Sequence, residues 1–391
     1  MRIERIEIHV TELPVRLTRT FSSGSYDSGP AGQLLGKPVL VRVHAGGVAG
    51  VGQVRPIAPG HFVPDTTHSV VAAIREIYGP MLIGRRLADL EDINRGFLSR
   101  LPGNFAARAV LDIALHDALG KALGVPLCDL IGGRSQDSIP LEWSVSLYDE
   151  TSRMVDDSLR AVEEFGMSVL CLKAAGGEGW RRDVANFEAV RKAVGDEIVI
   201  GVDPNTGWTV AETVRALSAL DEMDLGYCEQ PVDRRNLRGL AHIRSVAGGV
   251  PVMVDESLFT LEDSAAIAAA GAADVFCVKL YKVGGLHAAR KICAVGEAND
   301  IKVNCGGLAA GSQLEAAAAA HFCASIPLQR SFGAAEFAFG VGVLGDDPLI
   351  ADGAMKIEQG CVVPPSGPGL GLTLDERALE RMSLHRETVG G

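Results

Sequence analysis

The chain has 391 residues, enough for two domains or for one large barrel with an appendage. Its composition, 47% hydrophobic, 22% charged and 5% aromatic with 46 glycines, is that of a folded globular protein rich in turns. A net charge of −12 without long like-charge blocks argues against nucleic acid and anionic membrane as partners. It does not exclude an anionic substrate, because a bound cation inverts the field around itself.

The opening MRIERIEIHV alternates and is charged, so neither a signal nor a transit peptide is expected. No run of 18 apolar residues is present to cross a membrane. The eight cysteines stand singly, and Cys171, Cys228, Cys277 and Cys305 sit inside apolar runs. They read as small core residues in a reducing compartment, which predicts a cytoplasmic protein.

In chain order, RIEIHV and KPVLVRVHAGGVAGVGQV predict strands of period two, the latter a hairpin turning at Gly46-Gly47. Helical patterns follow from about Asp65 to Tyr78 and from Asn104 to Leu123. Strands followed by helices predict an α+β domain over residues 1–130. After GVPLCDLIGG the texture changes. Residues 131–355 alternate eight short apolar runs (IPLEWSV, SVLCLK, IVIGVD, LGYCE, VPVMVD, DVFCVK, IKVNC and GAAEF) with helix-length amphipathic stretches. In one such stretch Val210, Val214 and Leu217 share a face behind the capping box Thr209–Glu212. Eight βα units predict a TIM-like (β/α)8 barrel, giving an α/β fold capped by the α+β domain. A Rossmann-type sheet would want a glycine-rich phosphate turn after its first strand, and EWSVSLYDETS supplies none. Residues 356–391, including PSGPGLGLTLDERALERM, lie beyond the strand series and are expected to return to the leading domain.

The predicted strands end in charge. Strand two ends at Lys173, strand three at Asp203, strand four at Glu229, strand five at Asp255 and strand six at Lys279, with gaps of 30, 26, 26 and 24 residues. Each gap is one βα unit, so all five side chains are expected at the C-terminal mouth, where barrel enzymes keep their chemistry. Any one such lysine could simply snorkel into water. Five in the order Lys, acid, acid, acid, Lys are hard to attribute to chance. Three converging carboxylates cannot all stay ionised without a cation. Oxygen ligands alone select a hard ion, so Mg²⁺ is expected, with Mn²⁺ as a substitute. Asn205, two residues after Asp203, is either a further oxygen donor, a partner that steadies the ligands, or a turn residue of DPNTGW.

Strands two and six are four apart in a ring of eight, so Lys173 and Lys279 should face each other. A substrate carboxylate on the metal would then place its α-carbon between them, and the metal would stabilise the enediolate formed when the α-proton leaves. A lysine with an ordinary pKa of about 10.4 is a poor base. A facing ammonium and a metal are expected to depress it toward ~7–8.

Here the chain resembles the enolase superfamily, in its muconate lactonizing enzyme subgroup. The likeness runs through ALHDALGKALGVPLCDLIGG, VDPNTGW, EQPV, VDES, VKLYKVGGL and PGLGLTLD, in order and spacing. It implies Asp203, Glu229 and Asp255 as metal ligands and Lys173 and Lys279 as the acid/base pair. It also implies a substrate-facing Glu336 and a loop near residues 18–30 that covers the substrate, with Ser22, Ser23 and Tyr26 as contacts. Members of the family are usually homo-oligomers. Two departures stand out: the usual Lys-x-Lys of strand two is Cys171-Leu172-Lys173, and the usual GxGE of the capping domain is GVGQ, ending at Gln53. Cys171 reads as core or, less readily, as a catalytic thiol.

The expected activity is therefore α-proton abstraction from a small carboxylate or cyclic amino acid, by a racemase, epimerase or muconate-type cycloisomerase. Dehydration of a β-hydroxy acid or hydroxyproline-like substrate through the same enolate is the alternative. From other classes come a Schiff-base aldolase or lyase using Lys279 and a non-catalytic metal-binding barrel.

Overall fold

A computed structural model describes residues 1–12, 18–22, 24–27, 34–56, 63–307 and 312–391, with residues 26 and 27 described by their backbone alone. The leading part builds a four-stranded antiparallel sheet. Ile3–Thr11 lies between Ser383–Gly390 and Val39–Ala45, and Val48–Val54 forms the other edge. The hairpin turns at Gly46-Gly47, where φ values of +56° and +84° give the left-handed pair that a two-residue turn between twisted strands requires. Helix Phe105–Leu123 lies across the sheet so closely that a Cβ on Gly50 would come within 2.1 Å of the Ala114 carbonyl oxygen. The glycines of VAGVGQV are thus where helix and strand backbones meet. The first helix begins later than its pattern suggests, at Thr67, because Thr66 and Ser69 form a reciprocal cap.

The second body is a curled parallel sheet whose seven strands neighbour one another in chain order. They are Glu142–Val145, Val169–Lys173, Val199–Asp203, Leu225–Glu229, Val252–Val254, Val275–Val278 and Lys302–Cys305. Helices Thr151–Phe165, Trp180–Val194, Val210–Asp221, Leu237–Val246, Leu261–Ala270, Leu286–Ala298 and Gln313–Ala324 follow them in turn. The Thr209–Glu212 capping box forms as expected, with Thr209 N–H donating to Glu212 Oε2 at 2.8 Å.

Two strand expectations are corrected. GAAEF is not a regular eighth strand: Ser331 bridges Val303 and Ala335 bridges Leu141, while Gly333 at φ +60° bends the chain between them. The barrel still closes, because Glu142 N–H donates to the Ala335 carbonyl and Glu336 N–H to the Cys305 carbonyl, both at 2.9 Å. The first run also divides. Ile139–Pro140 pairs antiparallel with Cys361–Val362, and the barrel strand starts only at Glu142, since Pro140 has no N–H for a ladder.

Tyr227 fills the middle of the barrel. A Cβ on Gly201, one strand away, would lie 2.1 Å from its ring, and its hydroxyl donates to Glu142 Oε2 at 2.6 Å. Burial and the negative charge of Glu336 push the Glu142 carboxyl up to about 8. This cross-barrel pair, with Val169, Cys171, Met253, Val275 and Cys277, floors the mouth above it.

Candidate active site

All five charged strand ends meet at that mouth, and all are buried. Each sits at the C-terminal end of its strand, or one residue beyond it, because every helix returns the chain to the opposite end of the barrel. Lys173 Nζ donates to Asp203 Oδ2, and Lys279 Nζ donates to Asp255 Oδ2 at 2.6 Å. Glu336 stands between the two lysines, with Oε1 3.8 Å from Lys173 Nζ and Oε2 3.5 Å from Lys279 Nζ. The two ammoniums are therefore separated by no more than the width of one carboxylate plus those contacts. Room for Lys279 comes from Gly306, where a Cβ would lie 2.4 Å from the lysine Cε.

Asn205 lies against Asp203. Its backbone N–H donates to Asp203 Oδ1 and its Nδ2 to Asp203 Oδ2, both at 2.8 Å, and Nδ2 also reaches Glu256 Oε1 at 3.1 Å. The same residue holds φ at +44°, as a turn residue can, and its buried Oδ1 has no hydrogen-bond partner among the described residues, which leaves the oxygen-donor alternative open.

Part of the expected loop near residues 18–30 is paired strand. Thr18–Phe21 and Gly24–Asp27 form a two-stranded hairpin laid over the barrel, with Ser22 Oγ donating to the Asn205 carbonyl at 3.1 Å. Ser23 lies outside the described residues, and so does the side chain of Tyr26.

Several residues around the five were given no role from sequence, although Lys282 lies in VKLYKVGGL, Gln230 in EQPV and Cys171 in the departing strand end. Lys282 follows Lys279 by one turn of the short helix Leu280–Val283, and its Nζ donates to both Asp255 Oδ1 and the Asp255 carbonyl. Gln230 ties two strand ends together: its Oε1 accepts from Asp255 N–H at 3.0 Å and Ser257 N–H at 3.1 Å. Phe21 sets its ring centre 5.5 Å from Lys173 Nζ. The side chain of Cys171 is wholly buried, as a core residue should be, yet its Sγ lies 3.9 Å from Glu229 Oε2.

The expected depression of the two lysines rests on a bound metal; the protein's own groups act the other way. Burial pulls Lys173 and Lys279 down, but Asp203 and Glu336 around the first, and Asp255 and Glu336 around the second, overcome it and hold both well above the ordinary lysine value. The facing carboxylates, rather than the facing ammonium, decide the sign. Burial moves Asp203 up to about 6 against the pull of Lys173, whereas Lys279 and Lys282 carry Asp255 well below its ordinary value despite burial. Glu229 has no such partner. Burial and Asp203 push its carboxyl well up, and among the described residues its Oε1 accepts no hydrogen bond. An orphaned buried carboxylate oxygen beside two further acids is the donor set that a divalent cation satisfies.

Comparison with known proteins follows the same lines. Residues 35–132 match the mandelate racemase / muconate lactonizing enzyme N-terminal domain, and residues 153–378 match the enolase C-terminal domain-like family. The chain belongs to the enolase superfamily. Its muconate-lactonizing branch is evident from a chloromuconate cycloisomerase of Pseudomonas sp. strain P51, 31% identical over 96% of this chain and 97% of that protein. An L-Ala-D/L-Glu epimerase of Bacillus subtilis is 30% identical over 95% of this chain and 97% of its own. The crystal structure of an N-succinyl Arg/Lys racemase from Bacillus cereus superposes with a TM-score of 0.88 at 28% identity, covering 100% of both chains. Enolase-superfamily enzymes work with a divalent metal, and the acidic cluster fits one. Among the described residues, no helix is long and apolar enough to cross a membrane.

Proposed function

We propose that this chain is an isomerase that removes the proton α to a carboxylate of a small substrate and returns it, as a racemase, epimerase or cycloisomerase. One observation carries the proposal: two buried lysines from opposite strands flank a single carboxylate, beside three strand-end acids. Asp203, Glu229 and Asp255 would hold Mg²⁺, or Mn²⁺ in its place. A divalent cation there would neutralise charge developing on the substrate carboxylate and loosen the acids' grip on the ammoniums.

Lys173 and Lys279 then act on opposite faces of the α-carbon, one taking the proton and the other delivering it. Glu336 marks the space between them, so its carboxylate meets the substrate. The hairpin 18–27, latched through Ser22 to Asn205, excludes water from that space. Relatives named as a cycloisomerase, an epimerase and a racemase support a shared proton abstraction with different outcomes. A Schiff-base reaction at Lys279 needs no metal, so the three acids gathered beside it favour the metal-assisted reading.

The proposed division is a capping domain over 1–130, a barrel over 131–355 and a returning segment over 356–391. The strand Ser383–Gly390 on the leading sheet supports it. The eight cysteines are free, which fits a cytoplasmic location, and a homo-oligomer is proposed on family resemblance.

The test is solvent-deuterium exchange at the α-carbon, run over N-modified and cyclic amino acids and unsaturated diacids. Exchange should require divalent metal and stop with EDTA, and turnover to product should fall at least ~10²–10⁴-fold in Lys173→Ala and in Lys279→Ala. Turnover that persists in Lys279→Ala, or a borohydride-trapped adduct on Lys279, defeats the proposal.

A further inference from the structure

The reaction proposed above makes no use of Cys171. The residue lies on the strand Val169–Lys173, two positions before Lys173, and is 0% exposed. Its Sγ and one carboxylate oxygen each from Asp203 and Glu229 all lie within 4.8 Å of one another, with Sγ to Glu229 Oε2 at 3.9 Å. The second oxygen of Glu229 accepts no hydrogen bond among the described residues. Donors 2.0–2.3 Å from zinc form a tetrahedron with edges of roughly 3.5 Å. Small side-chain rotations therefore suffice to bring these three donors onto one ion.

Cys277 makes a similar group with Glu229 and Asp255. There, however, both oxygens of Asp255 are engaged by ammoniums, Lys279 on Oδ2 and Lys282 on Oδ1. Asp203 pairs with the single ammonium of Lys173. Thiolate sulfur favours thiophilic ions, whereas carboxylates favour hard ones. Cys171 thus brings a soft donor, without a charge of its own as the thiol, to the centre.

We propose that this centre takes a second class of ion, a thiophilic divalent cation such as Zn²⁺ or Cd²⁺, on Cys171, Asp203 and Glu229. The proposal rests on the metal-centre reading and extends it. The hard ion uses the three carboxylates, and the soft ion exchanges Asp255 for sulfur, with the thiol proton released to solvent. The two classes of ion then compete for Asp203 and Glu229.

Cd²⁺ titration of the metal-stripped full chain tests this by the near-ultraviolet thiolate-to-cadmium absorption band, with Mn²⁺ binding followed separately by spin resonance. Wild type should develop the band at stoichiometric Cd²⁺ and lose it as Mn²⁺ is added. Cys171→Ser and Cys171→Ala should lack the band and bind Cd²⁺ at least ~100-fold more weakly, the upper end of what losing even an outer partner costs. Both should still bind Mn²⁺, whereas Cys277→Ala should keep the band. A band that survives in Cys171→Ser, or Mn²⁺ binding without any band in wild type, overturns the inference and leaves the proposed function standing. A chain that binds neither ion overturns both.

Discussion

Glu315→Gln should stabilise the protein at neutral pH and do nothing in acid. Glu315 lies in the first turn of the helix Gln313–Ala324, beside a cavity of about 20 Å³ lined by Tyr281, Gly306, Ser312 and Phe337. Neither of its carboxyl oxygens has a hydrogen-bond partner among the described residues, and burial pushes the group up to about 8 against the opposing charge of Arg55. A carboxyl raised above its unfolded value favours folding below that value and opposes it as pH rises toward the folded one. Holding the proton at about pH 7, against an ordinary value of 4.5, costs about 3 kcal/mol. The cavity has room for one water, which would trim that cost. Glutamine carries no proton to hold. With an unfolding entropy of about 2.1 cal/mol/K per residue, the gain corresponds to a Tm rise of roughly 4 °C. Calorimetry at about pH 7 and about pH 4 checks it, the rise being expected only at the higher pH. Equal Tm values at neutral pH, or the same rise at both, would refute the reasoning.

Further outcomes follow from other contacts. Gln230→Leu removes the amide that holds Asp255 and Ser257, and Mg²⁺ affinity by calorimetry should fall ~10–100-fold; unchanged affinity would detach Gln230 from the centre. Phe21→Ala removes the ring facing Lys173, and kcat/KM should drop about 2–30-fold, equivalent to ~0.5–2 kcal/mol; an unaltered value would mean the hairpin does not act on that lysine. Gly201→Ala drives a methyl into Tyr227, and the denaturant midpoint should reveal a loss of ~1–3 kcal/mol, which an unshifted midpoint would contradict.

The sequence by itself determined the barrel and the five charges at its mouth. A βα unit must bring the chain back to the same end of the sheet, so Lys173, Asp203, Glu229, Asp255 and Lys279 were aligned by local periodicity alone. Other features depend on which groups meet across the ring. The reach of Tyr227 to Glu142, the hold of Gln230 on Asp255 and the approach of Cys171 to Glu229 join residues 85, 25 and 58 positions apart, and no local pattern encodes them. The same holds for Ser383–Gly390, whose partner strand begins at Ile3. Tertiary structure also decided which groups lie nearest the lysines. Strand spacing predicts Lys173 and Lys279 facing each other, but electrostatic energy falls with distance, and carboxylates stand beside each of them.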